Sequence, residues 1–266
     1  MQHASAQSLM RERSPLSRLG IGLLVLGFSG CAGAPPAPAP AVTPAAAAAA
    51  PTAAAQPKEI HWFRSSAEYR ALARQTYRMA ELRVREQAAG KARGSWAVIL
   101  DADETVVDNS EYQRRLAARG EVYATATWNA WVREREAGAV PGAREFLAAV
   151  TSLGGRVVIV TNRDDEVCGD TRANMQALGL AFDLVLCRMG GVSDKNPRFA
   201  AVANGSAAPG VPAMEVLLWV GDNIQDFPTL SQAVREQGDG AYDPFGRSYI
   251  VLPNPMYGSW EANAPR

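Results

Sequence analysis
The sequence predicts an α/β protein built on a doubly wound, mostly parallel, Rossmann-like sheet. Three observations predict it. Short apolar runs rich in β-branched residues recur at 97–100, 156–161, 182–187, 216–220 and 249–252, each the length of a buried strand. Segments with helical spacing separate them, which makes the connections parallel crossovers rather than hairpins. Carboxylates, hydroxyls and amides stand where the runs stop, and open parallel sheets bind ligands outside the carboxyl ends of their strands.

Composition narrows the chemistry. The chain has 266 residues, 47% hydrophobic and 20% charged, so it is globular, with room for one large domain or two small ones. Lys plus Arg and Asp plus Glu both number 27, which leaves no basic excess to bind polymeric nucleic acid. His3 and His61 are the only histidines and sit at or before the edge of the domain, disfavouring a histidine nucleophile, base or metal centre.

In chain order, residues 1–31 read as a secretory leader. Arg11, Arg13 and Arg18 precede an apolar run at 19–28, too short to span a bilayer comfortably, and Ser29-Gly30-Cys31 supplies small residues before a cut. The long stretch ahead of Arg11 suggests translation from Met10. Phe28-Ser29-Gly30-Cys31 resembles the bacterial lipobox, which implies lipidation at Cys31; a plain secretory signal is the alternative. Residues 32–57 are almost entirely Ala and Pro, an extended spacer without the large apolar side chains of a core. Ala32, not Asp, after Cys31 resembles the outer-membrane sorting pattern.

The domain occupies 58–266. Tyr69, Leu72, Ala73, Tyr77, Ala80 and Leu82 give 66–87 a helical stripe, with Ser65 or Ser66 as N-cap and Gly90 beyond its end. The strand 97–100 stops at Asp101, because a buried strand does not tolerate the acids of Asp101-x-Asp103-Glu104. Helical pieces fill 110–138 around Trp128 and Trp131; another helix spans 141–153 and ends at Gly154-Gly155. The second strand, 156–161, ends at Thr161-Asn162-Arg163. A helix at 171–178 leads to the third strand, the fourth ends at Gly221-Asp222-Asn223-x-x-Asp226, and Asp194-Lys195 lies between them. Two residues apart, Asp101 and Asp103 face one pocket if extended geometry continues briefly. Carboxylates, a hydroxyl, an amide and an ammonium converging on one crevice form a metal and phosphate inventory, and their oxygens suit Mg²⁺.

These motifs resemble the haloacid dehalogenase superfamily of aspartate-nucleophile phosphohydrolases, and within it the class C nonspecific acid phosphatases, which are bacterial outer-membrane lipoproteins. The likeness runs from Trp62 and Glu68-Tyr69-Arg70-Ala71-Leu72-Ala73 through Asp-x-Asp-Glu-Thr-x-x-Asp-Asn, Trp128-x-x-Trp131-Val132, Ala139-Val140-Pro141-Gly142-Ala143 and Val220-Gly221-Asp222-Asn223 to Leu252-Pro253-Asn254 and Tyr257-Gly258-x-Trp260-Glu261. It implies Asp101 as nucleophile, Asp103 as general acid/base, and Mg²⁺ held by Asp101, the Asp103 carbonyl, Asp222 and Asp226. Thr161, Asn162 and Lys195 would hold the phosphoryl group, and Arg163, Trp128, Tyr257 and Trp260 the rest of the substrate. A small helical cap over roughly 110–155, helped by the terminal segments, an acidic pH optimum, and nucleoside 5'-monophosphates or aryl phosphates as substrates belong to the same expectation. So does an outer-membrane location, with the domain in the periplasm or at the cell surface; a homodimer is compatible with it. Trp62 and Trp131 read as core. Cys168 and Cys187 leave a disulfide and two free buried thiols both open. A non-catalytic ligand-binding lipoprotein on the same fold is the competing reading, with a phosphomutase or dehalogenase as a third; Asp103 argues against a dehalogenase, because expelling halide needs no general acid.

Overall fold
The computed structural model describes residues 56–264. The expected leader, the expected lipidation at Cys31 and the expected linker up to residue 55 lie outside the described residues. Among the described residues no helix is long and apolar enough to cross a membrane.

Helices α1 (Lys58–Ser65) and α2 (Ala67–Gln87) open the domain. Between them Ser66 has extended backbone, and its hydroxyl accepts the Tyr69 N–H, capping α2. Strand β1 (Trp96–Leu100) follows, then β2 (Val107–Asp108), α3 (Ser110–Arg119), α4 (Thr125–Glu134) and β3 (Gly138–Ala139). The β2 and β3 pair is antiparallel and ties off the segment holding α3 and α4. The chain continues through α5 (Ala143–Ser152), β4 (Arg156–Asp164), α6 (Cys168–Ala177), β5 (Leu184–Arg188), α7 (Asn196–Asn204), β6 (Glu215–Gly221) and β7 (Tyr249–Val251).

The main sheet has the order β5-β4-β1-β6-β7, parallel throughout, with β1 at its centre. All five β1 residues are buried, and period-two alternation divides them between two cores. Trp96, Val98 and Leu100 join Tyr77 of α2 and Phe146 of α5 on one face; Ala97 and Ile99 meet Phe199 and Val202 of α7 on the other. Burying each Val, Leu or Ile contributes roughly 1.5–3 kcal/mol, so the sheet centre is the part of the fold least free to move. The chain leaves β1 toward β4 on one side and finds β6 on the other. Such a switch opens a crevice at the carboxyl ends of the strands.

The five predicted strands are present with ends shifted by one to three residues. β4 runs on to Asp164 instead of stopping at Thr161, because its polar end still alternates: Thr161 and Arg163 point inward, Asn162 outward, and Asp164 pairs with Arg188 of β5. Three features went unpredicted. Helix α1 is short and carries Lys58, Glu59, His61 and Arg64; α7 is short and opens on a proline; and two-residue strands have no periodicity to read.

A disulfide joins Cys168, at the start of α6, to Cys187 in β5, closing the alternative left open by the sequence. It spans 19 residues, and a loop of that size is expected to contribute about 3 kcal/mol. Urea unfolding with and without reductant should show that difference; coincident midpoints would contradict it.

Candidate active site
The site begins where β1 runs out. The Asp101 N–H still donates to the Val220 carbonyl (2.9 Å), so Asp101 keeps strand register beside β6. Ala102 then turns the chain, its carbonyl accepting the N–H groups of Val106 (2.8 Å) and Val107 (2.9 Å). Within this turn Glu104 adopts a left-handed backbone (φ 52°), uncommon for a residue with a side chain. Tyr77 of α2 braces the turn through its hydroxyl, which donates to the Thr105 carbonyl (2.5 Å).

Next to Asp101, β6 delivers Asp222, and a short 3₁₀ turn brings Asp226 back over the strand end. Gly221 permits that approach: a Cβ there would stand 2.3 Å from the Asp226 Cβ. Lys195, at the N-cap of α7, bridges the two strands' acids, its Nζ lying 2.6 Å from both Asp101 Oδ1 and Asp226 Oδ1. Asp222 takes a hydrogen bond on each oxygen, from Thr105 Oγ1 (3.0 Å) and Asn254 Nδ2 (2.8 Å). Asp101, Asp222 and Asp226 each place one oxygen within 4.8 Å of the others, a geometry that could hold a metal ion.

The electrostatics agree with the geometry. Burial pushes the Asp101 carboxyl up to about 7; Lys195 opposes the rise, and Asp226 and Asp103 add to it. Burial, then the charges of Asp226 and Asp101, also drive Asp222 well above the usual carboxylate range. Lys195 sits above its ordinary value because two carboxylates outweigh the effect of its burial. Three carboxylates beside one ammonium leave excess negative charge in a buried place, which a hard cation would offset.

Asp103 lies on the other side of the turn. Its Oδ1 accepts N–H groups from Arg163 Nε (2.9 Å) and Asn109 Nδ2 (2.9 Å), with Arg163 Nη2 2.8 Å away. Asn109 Oδ1 in turn accepts from Arg163 Nη2 (3.0 Å) and Trp131 Nε1 (2.9 Å). With Oδ1 occupied, Oδ2 is the oxygen that these bonds leave unengaged.

A cleft of about 920 Å³ opens over these groups, with Asp101, Asp103, Asn162, Lys195, Asp222 and Asp226 all on its wall. Trp128 and Tyr123 contribute from the α3–α4 segment, and Tyr257 and Gly258 from the C-terminal tail. Three residues expected at the substrate do not line the cleft. Arg163 is 1% exposed and sits beneath Asp103, its guanidinium 5.5 Å from the Trp128 ring. Thr161 is fully buried, its hydroxyl accepting the Arg163 N–H, and Trp260 is 45% exposed outside the cleft lining. Trp131 is core, as expected, and Trp62 packs partly buried against it. Sequence reasoning assigned no role to Asn109, Asn254, Glu104 or Tyr123. Only for the first three was there a signal, their places in the Asp-Asn, Pro-Asn and Asp-Glu-Thr motifs.

Known proteins share this fold. The class C acid phosphatase from Bacillus anthracis superposes with a TM-score of 0.68 at 29% identity, over 77% of this chain and 85% of that one. The crystal structure of the class C acid phosphatase from Bacillus anthracis with tungstate bound gives 0.67 at 28% identity over the same shares. The family described as HAD superfamily, subfamily IIIB (Acid phosphatase), matches residues 36–260. That match sets aside the non-catalytic reading, and with the cleft just described it leads to one assignment: the chain belongs to the HAD subfamily IIIB acid phosphatases and is a phosphomonoester hydrolase.

Proposed function
We propose that the chain hydrolyses nucleoside 5'-monophosphates and aryl phosphates with Mg²⁺ as cofactor, Asp101 as nucleophile and Asp103 as general acid and base. The observation that carries this reading is one cleft wall bearing Asp101, Asp222 and Asp226 around Lys195, with Asp103 held by a single oxygen beside them. The donors are hard carboxylate oxygens, as Mg²⁺ prefers, and Asp101, the Asp103 carbonyl, Asp222 and Asp226, directly or through water, would hold it. Bound there, Mg²⁺ supplies positive charge against the phosphoryl oxygens.

The protein's own groups account for the steps. Asp101 attacks phosphorus, the bond to the leaving oxygen breaks, and the proton on Asp103 Oδ2 passes to that oxygen. Water then attacks the aspartyl-phosphate, gives a proton to Asp103, and the Asp101–phosphorus bond breaks to release phosphate. Lys195 uses two of its three N–H groups on Asp101 and Asp226, leaving one for a phosphoryl oxygen, and Asn162 stands on the same wall. A similar protein, the class C acid phosphatase from Bacillus anthracis, holds tungstate, an oxyanion, which supports an oxyanion ligand for this chain. The segment of α3 and α4 that β2 and β3 tie off serves as the cap, whereas the rest of the expected 110–155 range, α5, packs in the sheet core; Trp128 and Tyr257 offer aromatic surface to a base or phenyl ring. For location, we propose an outer-membrane lipoprotein anchored through Cys31, supported by the leader and the Ala/Pro spacer.

The test is a panel of phosphate monoesters assayed with Mg²⁺ and with chelator. Chelation should lower kcat/KM by more than roughly 100-fold, reversibly, because several kcal/mol of charge stabilisation is removed; unchanged hydrolysis would overturn the reading. The same samples report on charge. Without metal, Asp101 and Asp222 titrate above the usual carboxylate value, so the folded chain retains protons that the unfolded chain has released. Metal-free stability should therefore fall as pH rises from about 4 through about 7, and the Tm gain from Mg²⁺ should grow over that range. A gain independent of pH would contradict the assignment.

A further inference from the structure
Glu104, the one acid of the Asp101-x-Asp103-Glu104-Thr105 motif that the mechanism leaves idle, is 0% exposed. Among the described residues, its hydrogen-bond partners include no cation. Its Oε1 accepts the Asn109 backbone N–H (2.7 Å), and its Oε2 accepts the Tyr257 hydroxyl and, at 3.4 Å, the Asn109 Nδ2. The left-handed backbone at Glu104 is also a conformation in which a side chain costs energy, and such residues cluster at functional sites. A surface turn would tolerate glycine here; this turn instead holds a carboxyl against two groups of the cleft.

Those two groups lie on different parts of the reaction. Asn109 supports Asp103, while Tyr257 belongs to a tail that enters the cleft from the far end of the chain, 153 residues away. The tail is fastened beside it by Asn254 to Asp222 and by Ser259 Oγ to Asn223 Oδ1 (2.8 Å). An aromatic ring on a loop-like segment needs a fixed point to present one face consistently, and the phenol provides it. We infer that Glu104 is a positioning residue, which anchors the Tyr257 hydroxyl and so sets how the aromatic wall of the cleft meets the leaving group. The inference rests on the reading of Tyr257 as a leaving-group contact.

Its readout is the ratio of kcat/KM for phenyl phosphate to that for ethyl phosphate, since only the first has a ring to stack. Tyr257→Phe keeps the ring and removes the anchor; the ratio should fall about fivefold, the size of one hydrogen bond. Glu104→Gln leaves a single acceptor oxygen where the Asn109 N–H and the phenol each had one, so it should lower the ratio in the same direction but by less, and the double variant should match Tyr257→Phe, because both act on one contact. If Glu104→Gln folds poorly, Tyr257→Phe alone decides. Tyr257→Ala separates the two ideas. A ratio lowered by Tyr257→Ala but untouched by Tyr257→Phe overturns the anchoring role and leaves the leaving-group reading intact. A ratio untouched by Tyr257→Ala overturns both. Equal losses on phenyl and ethyl phosphate in Glu104→Gln would show action through Asn109 and Asp103, and would also overturn the inference.

Discussion

Asp101→Asn should lower kcat by about 10⁴-fold or more while leaving the fold intact. The amide is nearly the same size and occupies the same place beside Val220, but it cannot attack phosphorus. Lys195 keeps its bond to Asp226 in this variant, so no buried ammonium is stranded. Loss of the Asp101 charge also relieves repulsion among the three acids, which adds to burial in pushing Asp222 upward. Thermal unfolding should therefore show a Tm equal to or above that of the unaltered protein, separating chemistry from stability. Steady-state hydrolysis of phenyl phosphate with saturating Mg²⁺ is the measurement. Residual activity within tenfold of the parent would remove Asp101 from the nucleophile's role.

Lys195→Met carries the second large effect, and here activity and stability fall together. The ammonium is 5% exposed and lies 2.6 Å from both Asp101 and Asp226. Removing one partner from a buried ionic cluster costs about 3–5 kcal/mol, because the remaining charges are left unpaired. Methionine fills the space without replacing the charge, so packing contributes little to the loss. The donor for a phosphoryl oxygen disappears as well, which should lower kcat by about 10²–10³-fold. Urea denaturation at fixed Mg²⁺ and single-turnover kinetics measure the two losses separately. A variant that lost activity but kept full stability would show that Lys195 does not hold the acids together.

The sheet was legible because β1, β4 and β6 are apolar runs that end abruptly, and their ends place Asp101, Asn162 and Asp222 with little further information. Helix boundaries at α2 and α5 were legible for a similar reason, a clear apolar stripe. Arg163 was not. Its place after Thr161-Asn162 suggests a group at the strand tip, yet the alternation of β4 continues through it and turns the guanidinium inward to Asp103. Asn109 and Asn254 stand in legible motifs, but what they support was opaque for a different reason. Their partners, Asp103 and Asp222, lie six and 32 residues away, and no local period links an amide to the carboxylate it supports. Tyr123 lies in the short connection between α3 and α4, Gly120-Glu121-Val122-Tyr123-Ala124, which has no period to read; its position in the cleft follows from how those helices pack.

The attachment of the segment after β7 couples the far side of the sheet to the catalytic turn. Asn254, Tyr257 and Ser259 fasten to Asp222, Glu104 and Asn223, so two strand ends draw support from residues that lie beyond the last strand. Deleting that segment would leave the five-stranded sheet complete and yet strip the cleft of its tyrosine and of one support of the β6 acid, so that folding and competence would come apart without altering a single residue of β1.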